Sequence, residues 1–331
     1  MTQKVLLLGA TGQTGKSVLD ALLAEPQFFS VDALVRGSSI SKSSVVALKD
    51  RGVGLRVGDL SGPLEPLVAL LKGIDVVIST IGALGQLDQM QLATAAKQAG
   101  VKRFVPCAFI PIAPAGGIML VRDEKEQVYQ HIFKLYLPYT IIDVGFWHQV
   151  SFPRVPSGRF DEANTIPWSQ TIHAGGTARN MLTDLRDIGR FVARIVKDAR
   201  TLNKYVVAYG DVLTQQEIFK IAEEVSGESI TDRNSATAET ITSKWEHCTA
   251  YHLANPDDAL ARMNRNVADY NYSKFVREDN TPEYAKYLGY LDAKDLYPDF
   301  QPISFRDFLA DVLAGKVERI YKDLDFSEIQ T

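Results

Sequence analysis

Val5-Leu6-Leu7-Leu8-Gly9-Ala10-Thr11-Gly12-Gln13-Thr14-Gly15-Lys16-Ser17, at the start of the chain, is the stretch that decides the fold. Four apolar residues suit a buried strand. A chain that must turn from such a strand into a helix gains from glycine, which tolerates positive φ and lets another backbone or a pyrophosphate approach closely. Beyond the turn, Val18, Leu19, Leu22 and Leu23 recur at the spacing of a helix that buries one face. The free N–H groups and positive dipole end of that helix attract phosphate. The spacing is G-x-x-G-x-x-G. In its strand–turn–helix context it predicts dinucleotide binding by Gly9, Thr11, Gly12, Gln13, Thr14 and Gly15 rather than an ordinary βα turn.

The next apolar run outward, Val31-Asp32-Ala33-Leu34-Val35, reads as a second strand, and Arg36 stands just past it, where an adenosine ribose is read. An acid there bonds the 2′-hydroxyl of NAD, whereas a guanidinium pairs with a 2′-phosphate. NADPH is therefore the predicted cofactor, with Ser38, Ser39 and Lys42 as further donors. Asp32, inside the strand, is the weaker ribose candidate.

Strand-like runs at 5–8, 31–35, 54–57, 75–80, 104–109 and 139–144 alternate with helical patterns. This rhythm predicts an α/β fold with a doubly wound parallel sheet of the Rossmann, NAD(P)-binding type. After residue 150 the chain turns rich in Pro, Gly, Ser and Thr through 178, with room for one short strand. Leu185, Ile188, Val192 and Ile195 then mark a helix capped by Thr183 or Asp184. Thr214-Gln215-Gln216-Glu217 is a capping box whose helix stops at Gly227, and Ser304 opens a last helix. The expected division is a cofactor domain over 1–150 that takes back about 180–210, and a smaller substrate-binding domain from 151–179 and 211–331. Periodicity yields no topology for 230–302.

The 331 residues are 46% hydrophobic and 23% charged, with a formal net charge of −4, the balance of a globular protein without an electrostatic footprint for nucleic acid. No apolar run has bilayer length, and a core strand within four residues of the start leaves no room for a leader, so a cytoplasmic enzyme is expected, as monomer or homodimer. Cys107 and Cys248 lie far apart without metal-ligand spacing, as do His131, His148 and His173, and no metal site is expected. Cys107 reads either as a thiol near the cofactor or as a small buried hydrophobe.

The segment 121–132 reads as a helix whose inward stripe holds Val128, Ile132 and Leu135, with Lys125 in it as the one charge facing in. Burial and the positive dipole end of its helix both favour a neutral amine, and such an amine can trade a proton near neutral pH. The competing reading sends its ammonium to Asp123, Glu124 or solvent. Phe146-Trp147-His148 follow the sixth strand at a carboxyl end of the sheet, where they suit either an aromatic ligand or the core of a domain seam. Tyr270 with Lys274, and Tyr290 with Lys294, match the Y-x-x-x-K pair of ordinary short-chain dehydrogenases. That pair belongs on the helix after the fourth strand, so both read as chance matches.

With these residues assembled, the chain resembles the isoflavone reductase-like branch of the NmrA-like, atypical short-chain dehydrogenase family. The likeness runs through the glycine turn, Leu34-Val35-Arg36, Gly58-Asp59-Leu60, Asp75-Val76-Val77-Ile78-Ser79-Thr80 and Gln86-Leu87-Asp88-Gln89. It continues in Ala99-Gly100-Val101-Lys102-Arg103-Phe104, Leu137-Pro138-Tyr139-Thr140, Asp198-Ala199-Arg200-Thr201-Leu202-Asn203-Lys204 and Leu296-Tyr297-Pro298-Asp299. It implies NADPH-dependent reduction of phenolic or related aromatic natural products. A helix lysine, matched by Lys125, replaces the usual tyrosine as proton donor or acceptor. It also implies that Thr80, Gly82 and Gln86 border the cofactor and that Gly145 and Phe146 lie near the nicotinamide. Where the family has Pro-Ser-Glu-Phe-Gly, this chain has Pro106-Cys107-Ala108-Phe109-Ile110. The more apolar replacement predicts a bulkier or less polar aromatic ligand, with Cys107, Phe109, Trp147 and His148 as substrate-side candidates. The rival reading is an NmrA-type redox sensor that binds a dinucleotide without turnover and signals through a protein partner.

Overall fold

In the computed structural model, which describes residues 2–322 together with Phe326 and Ile329, strands and helices alternate from the start. They are β1 (Gln3–Leu8), α1 (Gln13–Leu23), β2 (Phe29–Val35), α2 (Ser43–Asp50), β3 (Gly54–Val57) and α3 (Leu64–Leu71). There follow β4 (Val76–Ser79), α4 (Gln89–Ala99), β5 (Arg103–Val105), α5 (Leu120–Lys134) and β6 (Thr140–Asp143). The first five strands are parallel in the order β3-β2-β1-β4-β5, and a parallel bridge between Phe104 and Tyr139 carries the sheet on to β6. Strand order reverses between β1 and β4, so the crevice where ligands of such sheets bind opens at their carboxyl ends. The runs read as near-continuously apolar because both faces are covered: Val5, Leu7 and Ile78 pack with α1 residues on one side, Leu6, Val77 and Phe104 with α4 and α5 residues on the other.

The second half supplies β7 (Phe146–Trp147), β8 (Thr171–His173), β9 (Asn180–Thr183), α6 (Leu185–Lys197), β10 (Lys204–Val207), β11 (Asp211–Leu213), α7 (Gln215–Ser226), β12 (Asn234–Ala236), α8 (Ala238–Ala254) and α9 (Ala259–Asn271). After α9 come a π-turn (Tyr272–Val276), α10 (Pro282–Tyr287), β13 (Leu291–Asp292), α11 (Ala293–Leu296) and α12 (Phe305–Leu313). The caps fall where the sequence signals put them: Asp184 rather than Thr183 caps α6, the Thr214–Glu217 box opens α7, Gly227 ends it at φ +71°, and Ser304 caps α12. β10 pairs with β6, and α6 crosses α1 so closely that a Cβ on Gly189 would lie 1.9 Å from the Ser17 carbonyl oxygen.

One boundary needs correction. β13 pairs with β10 in the same parallel sheet, so the sheet also takes back Leu291–Asp292, which the division at 211–331 gave to the smaller unit. A strand of two residues carries no periodicity to read. The remaining chain has its own core of Phe152, Phe160, Phe219, Phe305 and Phe308. Among the described residues, no helix is long and apolar enough to cross a membrane.

Candidate functional site

The three glycines of the first turn do different work. Gly9 takes φ +80°, and a Cβ there would stand 2.5 Å from the Thr80 carbonyl oxygen; one on Gly15 would stand 1.9 Å from the carbonyl oxygen of Gly9. These two let the turn close against the end of β4. Thr80 helps hold it, its hydroxyl donating to the Leu8 carbonyl at 2.7 Å. Gly12 faces outward instead, its nearest neighbour to a built Cβ being the Gly9 carbonyl oxygen at 3.3 Å. Here α1 starts without a side-chain cap and without an acid in its first turn, whereas α6 to α12 are each capped by Asp, Thr or Ser. Among the described residues no backbone acceptor meets the N–H groups of Gln13, Thr14 and Gly15. An exposed glycine turn with three free donors fits a pyrophosphate.

Arg36, exposed at the end of β2, makes no side-chain hydrogen bond or ion pair among the described residues, though its charge helps Ser61 hold the Asp59 carboxyl below the usual carboxylate range. Asp32 is engaged by Arg56 at 2.6 Å, which leaves the guanidinium of Arg36 as the group free to read a ribose phosphate. Lys42 is exposed at the start of α2 nearby in sequence.

Across the crevice, Lys125 is 2% exposed. Its Nζ donates to the Cys107 carbonyl at 2.7 Å and to Gln86 Oε1 at 3.1 Å. Gln86 in turn donates to the Gly82 carbonyl at 3.2 Å, and Gln89 donates to Gln86 Oε1 at 3.1 Å while accepting the Cys107 N–H at 2.7 Å. Lys125 is thus tied to the loop after β4 and to the end of β5, at the carboxyl edge beside the glycine turn. The carboxylates that might have drawn it outward are taken: Asp123 accepts the N–H groups of Gly116 and Gly117, and Glu124 pairs with Arg262 at 2.7 Å.

Lys125 is not the one inward charge, however. Arg122 is 4% exposed and pairs with Asp143 at 2.8 Å and the Tyr290 hydroxyl at 3.0 Å. α5 packs against α4 and α9, so a wider arc of it is buried than one apolar stripe indicates. Gln89 was missed as a site residue; its signal is an uncharged polar side chain three residues after Gln86, at the head of a helix whose other buried positions are Leu92, Ala93, Ala95 and Ala96.

The opposite wall comes from the second half. Gly145 takes φ +69° where its Cβ would meet the Met181 carbonyl oxygen at 2.5 Å, turning β6 into β7. The Phe146 ring then lies 5.8 Å from that of Tyr270 and 3.2 Å from Lys274 Nζ. Trp147 stacks on Tyr321 at 6.2 Å. The structure therefore brings Tyr270 and Lys274, read above as a chance match, to the candidate site.

Two substrate-side candidates do not belong there. His148 is fully buried, edge-on to Phe305 at 5.1 Å and beside Phe308 at 5.5 Å, and burial lowers its pKa to about 4; it is a core residue. Phe109, at φ +52° and 3% exposed, packs into the core under the sheet edge. Of the apolar replacement segment, Cys107 meets Lys125 through its carbonyl oxygen, and Ile110 packs near Tyr270. A surface hollow of about 550 Å³ lined by Met90, Asp123, Gln127 and His131 lies on another face of α5 and does not include Lys125.

A parallel sheet with a glycine turn at its switch point and a buried lysine at the same edge defines a dinucleotide-dependent oxidoreductase. The chain belongs to the NmrA-like family, whose sequence profile matches residues 1–275. It is 42% identical over 320 residues to the asnovolin J 5′,6′-dehydrogenase of Aspergillus novofumigatus, covering 95% of this chain and 96% of that one. It is 29% identical over 320 residues to an isoflavone reductase homologue of Arabidopsis thaliana, covering 93% and 97%. The fold is that of the leucoanthocyanidin reductase–NADPH complex from Vitis vinifera, with a TM-score of 0.78 at 24% identity over 94% of this chain and 99% of that one.

Proposed function

We propose that the protein is an NADPH-dependent oxidoreductase of secondary metabolism, acting on a conjugated or aromatic substrate with Lys125 as the proton donor and acceptor. The observation that carries this reading is the seat of Lys125: a buried amine at the carboxyl edge of the sheet whose short contacts go to two neutral oxygens and whose remaining contact is the Cys107 thiol at 3.8 Å. A protonated lysine has three N–H donors and a neutral one has two. With two held by the Cys107 carbonyl and Gln86, the third meets only the Cys107 thiol at 3.8 Å, a weak acceptor that a substrate oxygen can replace. Once that proton has left, the amine still satisfies both acceptors, so neither protonation state requires the wall to rearrange.

The remaining residues fit the same reading. The exposed turn at Gly12 with the N–H groups of Gln13, Thr14 and Gly15 holds the pyrophosphate, and Arg36 with Lys42 takes the 2′-phosphate. When bound, NADPH supplies the hydride. Phe146, Trp147, Ile110 and Tyr270 offer apolar and aromatic surface to a ring. The relatives named above include both a dehydrogenase and a reductase homologue, so the assay runs in both directions: NADPH oxidation with enones, quinones and phenolic substrates, and NADP⁺ reduction with their saturated counterparts. The expected result is NADPH binding with turnover of a conjugated or aromatic compound. NADPH binding without turnover of any compound in either direction defeats the enzymatic reading in favour of a dinucleotide sensor.

A further inference from the structure

Lys274 stands in the π-turn that extends α9, with 6% of its surface exposed. Its Nζ lies 3.2 Å from the ring centre of Phe146 and 4.7 Å from that of Phe275. Among the described residues no carboxylate pairs with this nitrogen and no acceptor meets it in a hydrogen bond. Ring faces return part of the cost of burying an ammonium, but not the loss of its hydration. His173 does not supply the missing acceptor. Its ring stacks on Phe275 at 4.6 Å, its Nδ1 faces Gln215, and burial with the Lys274 charge lowers its pKa to about 4.

Tyr270 precedes Lys274 by four residues, and its ring packs against Phe146 and the cluster around Ile110. Its hydroxyl is near enough to Cys107 and Tyr321 for their charge to act on it, and among the described residues it too lacks a hydrogen-bond partner. Two unpaired donors thus stand around one aromatic ring, beside the Cys107–Ile110 segment that also holds Lys125. A π-turn lengthens each hydrogen-bonded loop of the helix by one residue, a distortion frequent at functional positions. Burial alone pushes the Lys274 amine down to about 7, a cost relieved by an anion at the same place.

We infer that Lys274, assisted by Tyr270, is the recognition residue for an acidic oxygen of the substrate: a carboxylate, or the oxygen of an acidic phenol or enol. This deepens the reading that the crevice between Phe146 and Lys125 takes the substrate, and it rests on that reading. The acidic oxygen gives the ammonium the charge partner that the fold omits. Lys125 is left to the reacting end of the molecule, so the two amines divide recognition from proton transfer.

The test measures binding of three probes to the full chain, with and without NADPH, by quenching of tryptophan fluorescence. They are para-methoxycinnamate, which offers a carboxylate; methyl para-hydroxycinnamate, which offers a phenol; and methyl para-methoxycinnamate, which offers neither. One acidic probe is expected to bind about tenfold or more tightly than the neutral ester, the size of one charge-assisted hydrogen bond, and which one does so identifies the oxygen. Lys274→Met is expected to erase that preference while leaving neutral-ester and NADPH affinities near those of the parent, and Lys274→Arg to retain part of it. The inference is overturned if the parent shows no preference or binds none of the probes, if the preference survives in Lys274→Met, or if that variant loses acid and ester alike. Should Lys274→Met not fold, Lys274→Arg against the parent decides, loss of preference in the arginine variant counting against the inference. A parent that discriminates the probes but does not bind NADPH defeats the oxidoreductase reading and leaves this one standing.

Discussion

The two walls of the crevice are built on opposite terms. On the sheet side, Lys125, Gln86, Gln89 and the Cys107 backbone satisfy one another within 3.1 Å. On the other side, Lys274 and Tyr270 surround Phe146, and an ammonium faces rings where a carboxylate is the usual neighbour. A wall whose donors and acceptors are matched internally keeps its geometry whatever binds, which suits chemistry common to every substrate. A wall with unmatched donors gains free energy from whichever ligand matches them, which suits selection.

The largest expected effect tests the first half of that contrast. Lys125→Ala should lower turnover by about 10²–10⁴-fold, the range for losing a positioned acid–base group, while NADPH affinity is retained. Steady-state rates on several substrates should fall together; a parent-like rate would remove the proton-transfer role.

The next effect lies at the base of the other wall. His148 is neutral because it is buried, its pKa lowered from 6.5 to about 4, so the unfolded chain binds its proton more tightly than the folded one does. The stability this contributes is complete above pH 6.5 and is lost as pH falls from 6.5 to 4, by at most ~3 kcal/mol. Asp269, which burial raises to about 7, acts with the opposite sign: its buried charge costs stability above pH 7, and acid relieves it. The measurement is therefore a difference. Among the described residues neither ring nitrogen of His148 has a hydrogen-bond partner, so His148→Phe should gain on the parent in melting temperature steadily from pH 6.5 to 4. A constant offset between the two would refute the neutral buried histidine.

Gln89→Leu sharpens the claim that the sheet wall is internally matched. It strands the Cys107 N–H in the interior and should cost about 1–3 kcal/mol in a denaturant titration, the usual penalty for an orphaned buried donor. An unchanged midpoint would mean that the wall does not depend on Gln89. The smallest effect concerns the cofactor alone: Arg36→Ala should weaken NADPH about tenfold and leave NADH unaffected. Equal losses for both would end the argument for a 2′-phosphate contact.

Much of this molecule is written in short-range pattern. The apolar run before Gly9, the strands at 31–35 and 75–80, the capping box at Thr214, the glycine stop at Gly227 and the inward placement of Lys125 follow from a repeat of two or 3.6 residues and from the φ that glycine permits. Contacts between distant parts of the chain decided the rest. Arg122 is drawn inward by Asp143 and by Tyr290, 168 residues away. Leu291–Asp292 becomes a strand because β10 is there to pair with it. His148 and Phe109 pass to the core because neighbouring elements cover them. Lys274 acquires meaning only where its turn meets Phe146. Periodicity says which side of an element is apolar. What that side meets depends on which elements pack together, and no local repeat carries that information.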